Sequence, residues 1–367
     1  MKPRNIVICG GGTGGHLYPS LVVGRALKAK SPDLQLVYVG GRRDVERQIM
    51  ERHGVRFISL AVEGLVGRGW KSLRAALLLP AAFLKSVYLL AVLRPALVIG
   101  MGGYSSGPVV LPAAWLGRPT VILEQNVRPG FTNRMLRRFV DRAVTSFADS
   151  LPFFGDKGIF IGNPVRNEFF DLPVRREMRE IPVVLIFGGS QGSHFLNRMA
   201  TAALPLLQNS GRRIRIIHQT GSSDLDAIRA AYTEQGFEKA RIEAFLWDMP
   251  AAFDEADCVV CRAGATSVAE LIAARKPSIL VPFAGAAENH QEHNARVLEK
   301  AGGAEVLLEK DSTPEALAVK ILDLLEDRQK LAAMQRSLES LRREDAAGHI
   351  ADLCLKLIDQ NRPGGEQ

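Results

Sequence analysis

Three glycine-rich stretches, each directly after an apolar run, are the residues of this 367-residue chain best suited to chemistry on phosphates: GGGTGGH at 10–16, GGYSSGP at 102–108 and GGSQGS at 188–193. Glycine lets a backbone approach a phosphate closely, and a loop that opens a helix presents N–H groups to an anion. One such loop is weak evidence of a site. Three, spread over two halves of the chain, predict a protein that handles more than one phosphorylated group.

Two polar clusters in the second half add chemistry of another kind. In CRAGATSVAEL, residues 261–271, a strand-like run leads into a glycine–alanine turn and a helix start at Thr266 and Ser267. Its N–H groups suit a diphosphate. Glu270, placed by this spacing in the first turn, could accept from vicinal ribose hydroxyls or close a capping box with Ser267, and spacing alone does not separate the two. In PFAGAAENHQEHNA, residues 282–295, the amides and imidazoles would be costly to bury without partners, and a sugar's hydroxyls would satisfy them. His290 and His293 lack acidic or cysteine neighbours at metal-site spacing, so no metal is expected.

Other chemistries are disfavoured. Residues 10–15 match G-x-G-x-x-G, but the second strand ends in Val39-Gly40-Gly41-Arg42-Arg43, without the acid that a nicotinamide dinucleotide needs about 20 residues on. The four cysteines are at 9, 258, 261 and 354, and Cys258-x-x-Cys261 lies in an apolar run with no second pair, so it reads as a buried strand. With Met1 to Asn5 leading directly into a strand, no secretory signal is expected, and a reducing cytoplasm is the simplest setting.

Positioning these loops requires an alternating scaffold. Strand-like runs at 34–39, 120–123, 143–146, 213–218, 258–261 and 278–281 alternate with helical patterns such as 18–30, 45–53 and 269–274. That alternation predicts an α/β protein of parallel sheets with right-handed crossovers. A segment rich in proline and charge, 162–182, interrupts it before a new strand–loop–helix begins at Val183. Two doubly wound Rossmann-like domains in tandem follow, 1–162 and 163–344, with ligands at the carboxyl ends of their strands.

Charge is distributed unevenly. Residues 1–162 carry 22 Lys+Arg against 9 Asp+Glu, a net +13, while the remainder carries −5. Between Glu63 and Glu124 there is no acid, yet Arg68, Lys71, Arg74, Lys85, Arg94 and Arg118 are present. The basic half should attract a polyanion or an anionic surface. Residues 75–93 are nearly all apolar and about as long as a membrane span, but Pro80 and Lys85 interrupt them. The missing acids favour a helix that dips one face into a bilayer over a plain core helix.

Together these motifs resemble the MurG family of peptidoglycan glycosyltransferases. The match rests on Gly11-Gly-Thr-Gly-Gly-His16, Gly100-Met-Gly-Gly-Tyr-Ser-Ser-Gly107, Glu124-Gln-Asn126, Gly162-Asn-Pro-Val-Arg166, Gly188-Gly-Ser-Gln-Gly192, the Arg262–Glu270 segment and His290-Gln291, in order through most of the chain. The resemblance implies the glycosyltransferase B fold: two Rossmann-like domains facing a cleft, the last helix, about 345–367, returning to the first domain. It implies inverting, metal-independent transfer of N-acetylglucosamine from UDP-N-acetylglucosamine to the C4 hydroxyl of the muramyl sugar of lipid I, an undecaprenyl diphosphate, making lipid II without a cofactor.

Residue by residue, the resemblance puts Glu270 on the ribose. Gly264, Ala265 and Thr266, with Ser190, face the diphosphate. The backbone of Leu246 contacts the uracil, and His290 and Gln291 hold the sugar. From the first half, Thr13, Gly14, Gly15 and Asn126 approach the donor, and Arg166 reaches in from the linker. Gly12, His16, Tyr104, Ser105, Ser106 and Gly107 are the expected cradle for the acceptor diphosphate. The position of His16 at that loop, rather than the resemblance, makes it the candidate general base. The expected membrane face is Arg68, Trp70, Lys71, Leu73, Arg74, Leu77, Leu79, Phe83 and Trp115. The implied partners are UDP-N-acetylglucosamine, lipid I, the anionic cytoplasmic surface of the bacterial cell membrane and other cell-wall synthesis proteins, not nucleic acid. A UDP-N-acetylglucosamine 2-epimerase or a non-catalytic nucleotide-sugar sensor are the alternatives. The first would need no lipid face and several acids at the site; the second would need only one of the two loop sets.

Overall fold

The computed structural model describes residues 4–11, 14–62, 70–174 and 179–361, with side chains of 14 and 70–78 excepted. The chain divides into two compact units, 1–166 with 345–367, and 167–344.

Among the described residues the first unit has a seven-stranded sheet. Its strands are β1 Arg4–Cys9, β2 Leu34–Gly40, β3 Phe57–Ser59, β4 Leu97–Gly100, β5 Thr120–Glu124, β6 Arg142–Thr145 and β7 Gly158–Phe160, in spatial order β3-β2-β1-β4-β5-β6-β7. The second unit has six: β8 Val183–Phe187, β9 Arg215–Gln219, β10 Arg241–Glu243, β11 Cys258–Cys261, β12 Ser278–Leu280 and β13 Ala304–Val306, in order β10-β9-β8-β11-β12-β13. All pairings are parallel. Strands covered on both faces read as unbroken apolar runs, and β4, β8 and β11 are buried throughout. In each sheet the order reverses beside the first strand of the unit, β1 or β8. There the carboxyl ends of neighbouring strands diverge and leave room for a ligand.

Helices cover the sheets. In the first unit, helices Gly14–Lys30 and Ala346–Gln360 pack one face, with Leu17, Leu21, Leu27, Ile350, Cys354 and Leu357 in one core. The last helix starts because the Asp345 side chain accepts from the Gly348 N–H. The other face carries helices Trp70–Leu93, Gly107–Trp115 and Phe131–Leu136, through Leu90, Leu93, Val109, Val110, Ala113 and Leu136. No helix among the described residues is long and apolar enough to cross a membrane.

Candidate active site: glycine loops at the strand ends

The first two glycine loops are packed against each other. A Cβ on Gly103 would lie 2.3 Å from the Gly11 carbonyl oxygen, and one on Gly10 would lie 2.6 Å from Met101 Cβ, so neither position admits a side chain without backbone movement. Gly103 also has φ +77°, which glycine alone adopts at little cost. His16 is the third residue of helix Gly14–Lys30 and lies over Gly102: a Cβ there would be 3.1 Å from its Cε1 and 3.4 Å from its Nδ1. Gly12 and Thr13 lie outside the described residues; Gly14 and Gly15 open the helix.

The acceptor-loop side chains divide into two kinds. Tyr104 is exposed. Ser106 is fully buried, and its one hydroxyl proton is shared between the carbonyls of Cys9 at 3.0 Å and Gly102 at 2.7 Å. Its side chain therefore ties the two loops together rather than facing a ligand. Ser105 Oγ is buried with no hydrogen-bond partner among the described residues, 3.2 Å from where a Gly11 Cβ would be. Gly107 begins the next helix.

Asn126 is set by Glu124. That buried carboxylate accepts from the Asn126 N–H (2.9 Å) and Nδ2 (3.2 Å) with one oxygen, and from the Gly130 N–H (3.0 Å) and Asn133 Nδ2 (2.8 Å) with the other. Burial pushes the Glu124 carboxyl up and these donors pull it back. Beside it, Gln125 donates from Nε2 to the Met101 carbonyl at 2.9 Å. Arg166, the last residue of this unit's first segment, places its guanidinium 4.8 Å from the centre of the Tyr18 ring.

In the second unit the loop after β8 meets the loop after β9. A Gly192 Cβ would lie 2.0 Å from the Thr220 carbonyl oxygen, and Gly192 has φ +76°. Ser193 then caps helix His194–Asn209, accepting from the Leu196 N–H. Ser190 is half-buried at the loop's tip. Leu246 is buried, and its N–H donates to Gln219 Oε1 at 3.1 Å.

Sequence reasoning gave Arg262 no role, yet it binds this region together. Its guanidinium donates to Ser193 Oγ (2.8 and 3.1 Å) and to the Val281 carbonyl (3.0 Å), pairs with Glu309 (2.6 Å), and lies between the rings of Phe195 and Phe283. Burial draws its pKa down, and Glu309 opposes that. The available signal was a lone arginine directly after the buried strand β11.

The helix after β11 departs from expectation. It runs Ala265–Ala274 with Gly264 as N-cap, so Glu270 is in its second turn and Ser267 lies inside the helix rather than at its N-cap. The turn begins earlier than the Thr266–Ser267 spacing suggested because Gly264 adopts the extended cap conformation itself. Glu270 is buried. His290 and Gln291 open helix His290–Lys300. His290 Nδ1 donates to the Ala287 carbonyl at 2.8 Å, which presents Nε2 as the other ring atom. Gln291 Oε1 accepts from the Phe283 N–H at 3.0 Å.

One buried network supports this half. His218 bonds Tyr232 through Nδ1 (3.0 Å) and Asn197 through Nε2 (3.1 Å), and Asn197 Nδ2 reaches Asp224 (2.7 Å). Burial holds the His218 pKa down at about 3, with Asp224 opposing. Because the folded value is below the ordinary 6.5, the stabilisation is complete above about pH 6.5 and is lost as pH falls toward 3. We expect stability to drop by up to about 1.4 kcal/mol per pH unit across that window. Urea unfolding of the protein and of His218→Gln at pH 7.5 and 5.5 checks this, the variant showing the shallower pH dependence.

On the other side of the first sheet, an apolar surface continues past the expected one. Phe83 and Trp115 meet edge to face at 5.7 Å. Leu79 and Phe83 are half-buried, whereas Leu84 (69%), Tyr88 (72%) and Val92 (61%) point outward at four-residue intervals beside Trp115 (64%). Lys85 is engaged by the Ser59 carbonyl. Arg68 lies outside the described residues, as do the side chains of Trp70, Lys71, Leu73, Arg74 and Leu77.

The chain matches two family models, the glycosyltransferase family 28 N-terminal domain over residues 6–145 and the C-terminal domain over 183–350. It is 43% identical over 356 residues to the UDP-N-acetylglucosamine--N-acetylmuramyl-(pentapeptide) pyrophosphoryl-undecaprenol N-acetylglucosamine transferase of Syntrophus aciditrophicus (strain SB), covering 96% of this chain and 98% of that one. It is 40% identical to the protein of the same name from Myxococcus xanthus (strain DK1622), covering 99% and 95%. Among solved structures, Acinetobacter baumannii MurG matches with a TM-score of 0.76 at 29% identity, covering 96% and 100%. A UDP-N-acetylglucosamine 2-epimerase matches with a TM-score of 0.69 at 13% identity, covering 100% and 99%, which is likeness of fold alone.

Two parallel-sheet units with glycine loops at their strand ends, matched by both the N-terminal and the C-terminal family models, make this chain a glycosyltransferase. The chain belongs to glycosyltransferase family 28, and within it to the UDP-N-acetylglucosamine--N-acetylmuramyl-(pentapeptide) pyrophosphoryl-undecaprenol N-acetylglucosamine transferases, the MurG family.

Proposed function

We propose that this protein transfers N-acetylglucosamine from UDP-N-acetylglucosamine to the muramyl C4 hydroxyl of lipid I, yielding lipid II and UDP. The observation that carries it is near-full-length similarity to transferases of that name, joined to glycine loops at the strand ends of both units. The acceptor oxygen attacks the anomeric carbon, the bond from that carbon to the UDP oxygen breaks, and the configuration inverts. The hydroxyl proton goes to a base, His16 in this reading, and the charge on departing UDP is met by the N-terminus of helix Ala265–Ala274. Glu270 holds the ribose, Ser190 and residues 264–266 the diphosphate, the Leu246 backbone the uracil, and His290 and Gln291 the sugar. The loops at residues 12–16 and 104–107 cradle the lipid-linked diphosphate; the Ser106 hydroxyl is already engaged by the Cys9 and Gly102 carbonyls.

The protein acts peripherally at the cytoplasmic membrane surface. Supporting this are the acid-free stretch and the outward Leu84, Tyr88, Val92 and Trp115. Basic residues near an anionic surface contribute about 1 kcal/mol each, so reversing Arg68, Lys71 and Arg74 to Glu should weaken binding to phosphatidylglycerol vesicles roughly 100-fold or more. Sedimentation with vesicles reads this directly; unchanged sedimentation refutes the membrane face. Transfer itself is tested with labelled UDP-N-acetylglucosamine and a short-chain lipid I analogue.

A further inference from the structure

Gln125 directly follows β5 and is almost fully buried, at 2% exposure. Its Nε2 donates to the Met101 carbonyl at 2.9 Å. A carbonyl can only accept, so this bond fixes which end of the amide is which and leaves Oε1 on the other side. Oε1 is buried and has no hydrogen-bond partner among the described residues. It borders one particular space: a Cβ on Gly102 would lie 3.4 Å from it, 3.4 Å from His16 Nδ1 and 3.1 Å from His16 Cε1. Gly102, at φ +87°, thus leaves a gap between an amide oxygen and the Nδ1–Cε1 edge of an imidazole. The three residues come from the ends of three adjacent strands, His16 after β1, Gly102 after β4 and Gln125 after β5.

We propose that Gln125 is a positioning residue that orients His16, its Oε1 accepting from the Nδ1–H so that Nε2 is the nitrogen that takes the acceptor's proton; this rests on reading His16 as the base. A neutral imidazole carries one proton, and a ring held with that proton on Nδ1 presents Nε2 bare. A buried amide oxygen is costly to leave without a donor, and closing on the imidazole supplies one. Such bonds are often long before substrate binds and tighten with it. As the acceptor oxygen attacks, its proton moves to Nε2 and the ring becomes a cation protonated on both nitrogens. The amide oxygen then accepts from a charged donor, a bond roughly twice as strong as a neutral one. That gain arises only as the proton moves, so it lowers the barrier rather than tightening substrate binding. An amide does this without adding a negative charge beside the lipid-linked diphosphate, which a carboxylate there would repel.

The test is a double-mutant cycle in the full-length protein, with UDP-N-acetylglucosamine and a short-chain lipid I analogue as substrates. Gln125→Met should lower kcat about 10–100-fold, the scale of one hydrogen bond to a charged group, with both KM values little changed. In the His16→Ala background the same substitution should change kcat less than about twofold, because the group it acts through is gone. Gln125→Glu keeps an oxygen toward His16 but loses the donor to Met101, so its kcat should exceed that of Gln125→Met. A residue that only holds the Met101 carbonyl would lose kcat equally in both variants and in both backgrounds, and that outcome overturns the proposal. Should the variants fail to fold, isotope-labelled histidine in the unmodified protein decides it through the ring-nitrogen shifts: neutral His16 protonated on Nδ1 is expected, and protonation on Nε2 overturns the proposal. A kcat loss under tenfold in His16→Ala overturns the base reading and the proposal together. A large loss there with none in Gln125→Met overturns the proposal alone.

Discussion

Replacing His16 by alanine should lower kcat by about 10²–10⁴, the usual contribution of a positioned general base. The acceptor hydroxyl is a poor nucleophile until its proton is taken, and His16 is the imidazole built into the paired glycine loops of the first unit. It is carried on the first turn of helix Gly14–Lys30 and lies over Gly102, whose missing side chain makes the room. The loss should fall on kcat and kcat/KM equally, with KM for UDP-N-acetylglucosamine little changed, because a base acts only in the transition state. Steady-state kinetics with both substrates varied gives the answer. A decrease under tenfold removes His16 from the role of main base.

Replacing Glu270 by alanine should do the reverse, raising KM for UDP-N-acetylglucosamine with little change in kcat. A buried carboxylate that accepts from two ribose hydroxyls makes charge-assisted bonds worth about 1.5–3 kcal/mol, or roughly 10–150-fold in affinity. Glu270 is buried in the second turn of its helix, whose N-cap is Gly264. Glu270→Gln keeps the shape and loses the charge, so its KM should lie between those of the unmodified protein and Glu270→Ala. Calorimetric titration with UDP separates this from a folding effect: unaltered affinity in Glu270→Ala means the carboxylate serves the fold alone.

The long buried strands were plain in the sequence because apolar runs such as Val183–Phe187 and Cys258–Cys261, each leading into a loop and a helix, are the pattern of a strand covered on both faces. Edge strands were not. β3, β7, β10 and β13 have three residues each, and runs such as Arg241-Ile-Glu243 carry no periodic signal. Strand ends were displaced by a residue or two for the same reason, and at β9 this hid Gln219 in the following loop.

At the site, the glycine loops were legible because their chemistry is local. What the sequence could not show is which polar side chains hold the loops and which face outward. Ser105 and Ser106 are adjacent and identical in type, but only Ser106 reaches the carbonyls of Cys9 and Gly102, the former 97 residues away. Arg262 gathers Ser193, Val281 and Glu309 from three segments that only the fold brings together. Leu84, Tyr88 and Val92 were masked by the uniform apolarity of their helix, which gives its outward face no distinguishing pattern.

The most direct test of the account is product analysis after incubation with labelled UDP-N-acetylglucosamine and a short-chain lipid I analogue. The account predicts that label moves to the lipid-linked sugar, with one β-linked N-acetylglucosamine added per acceptor and UDP released. Label that stays in nucleotide sugar, whether unchanged or epimerised at C2, would contradict it.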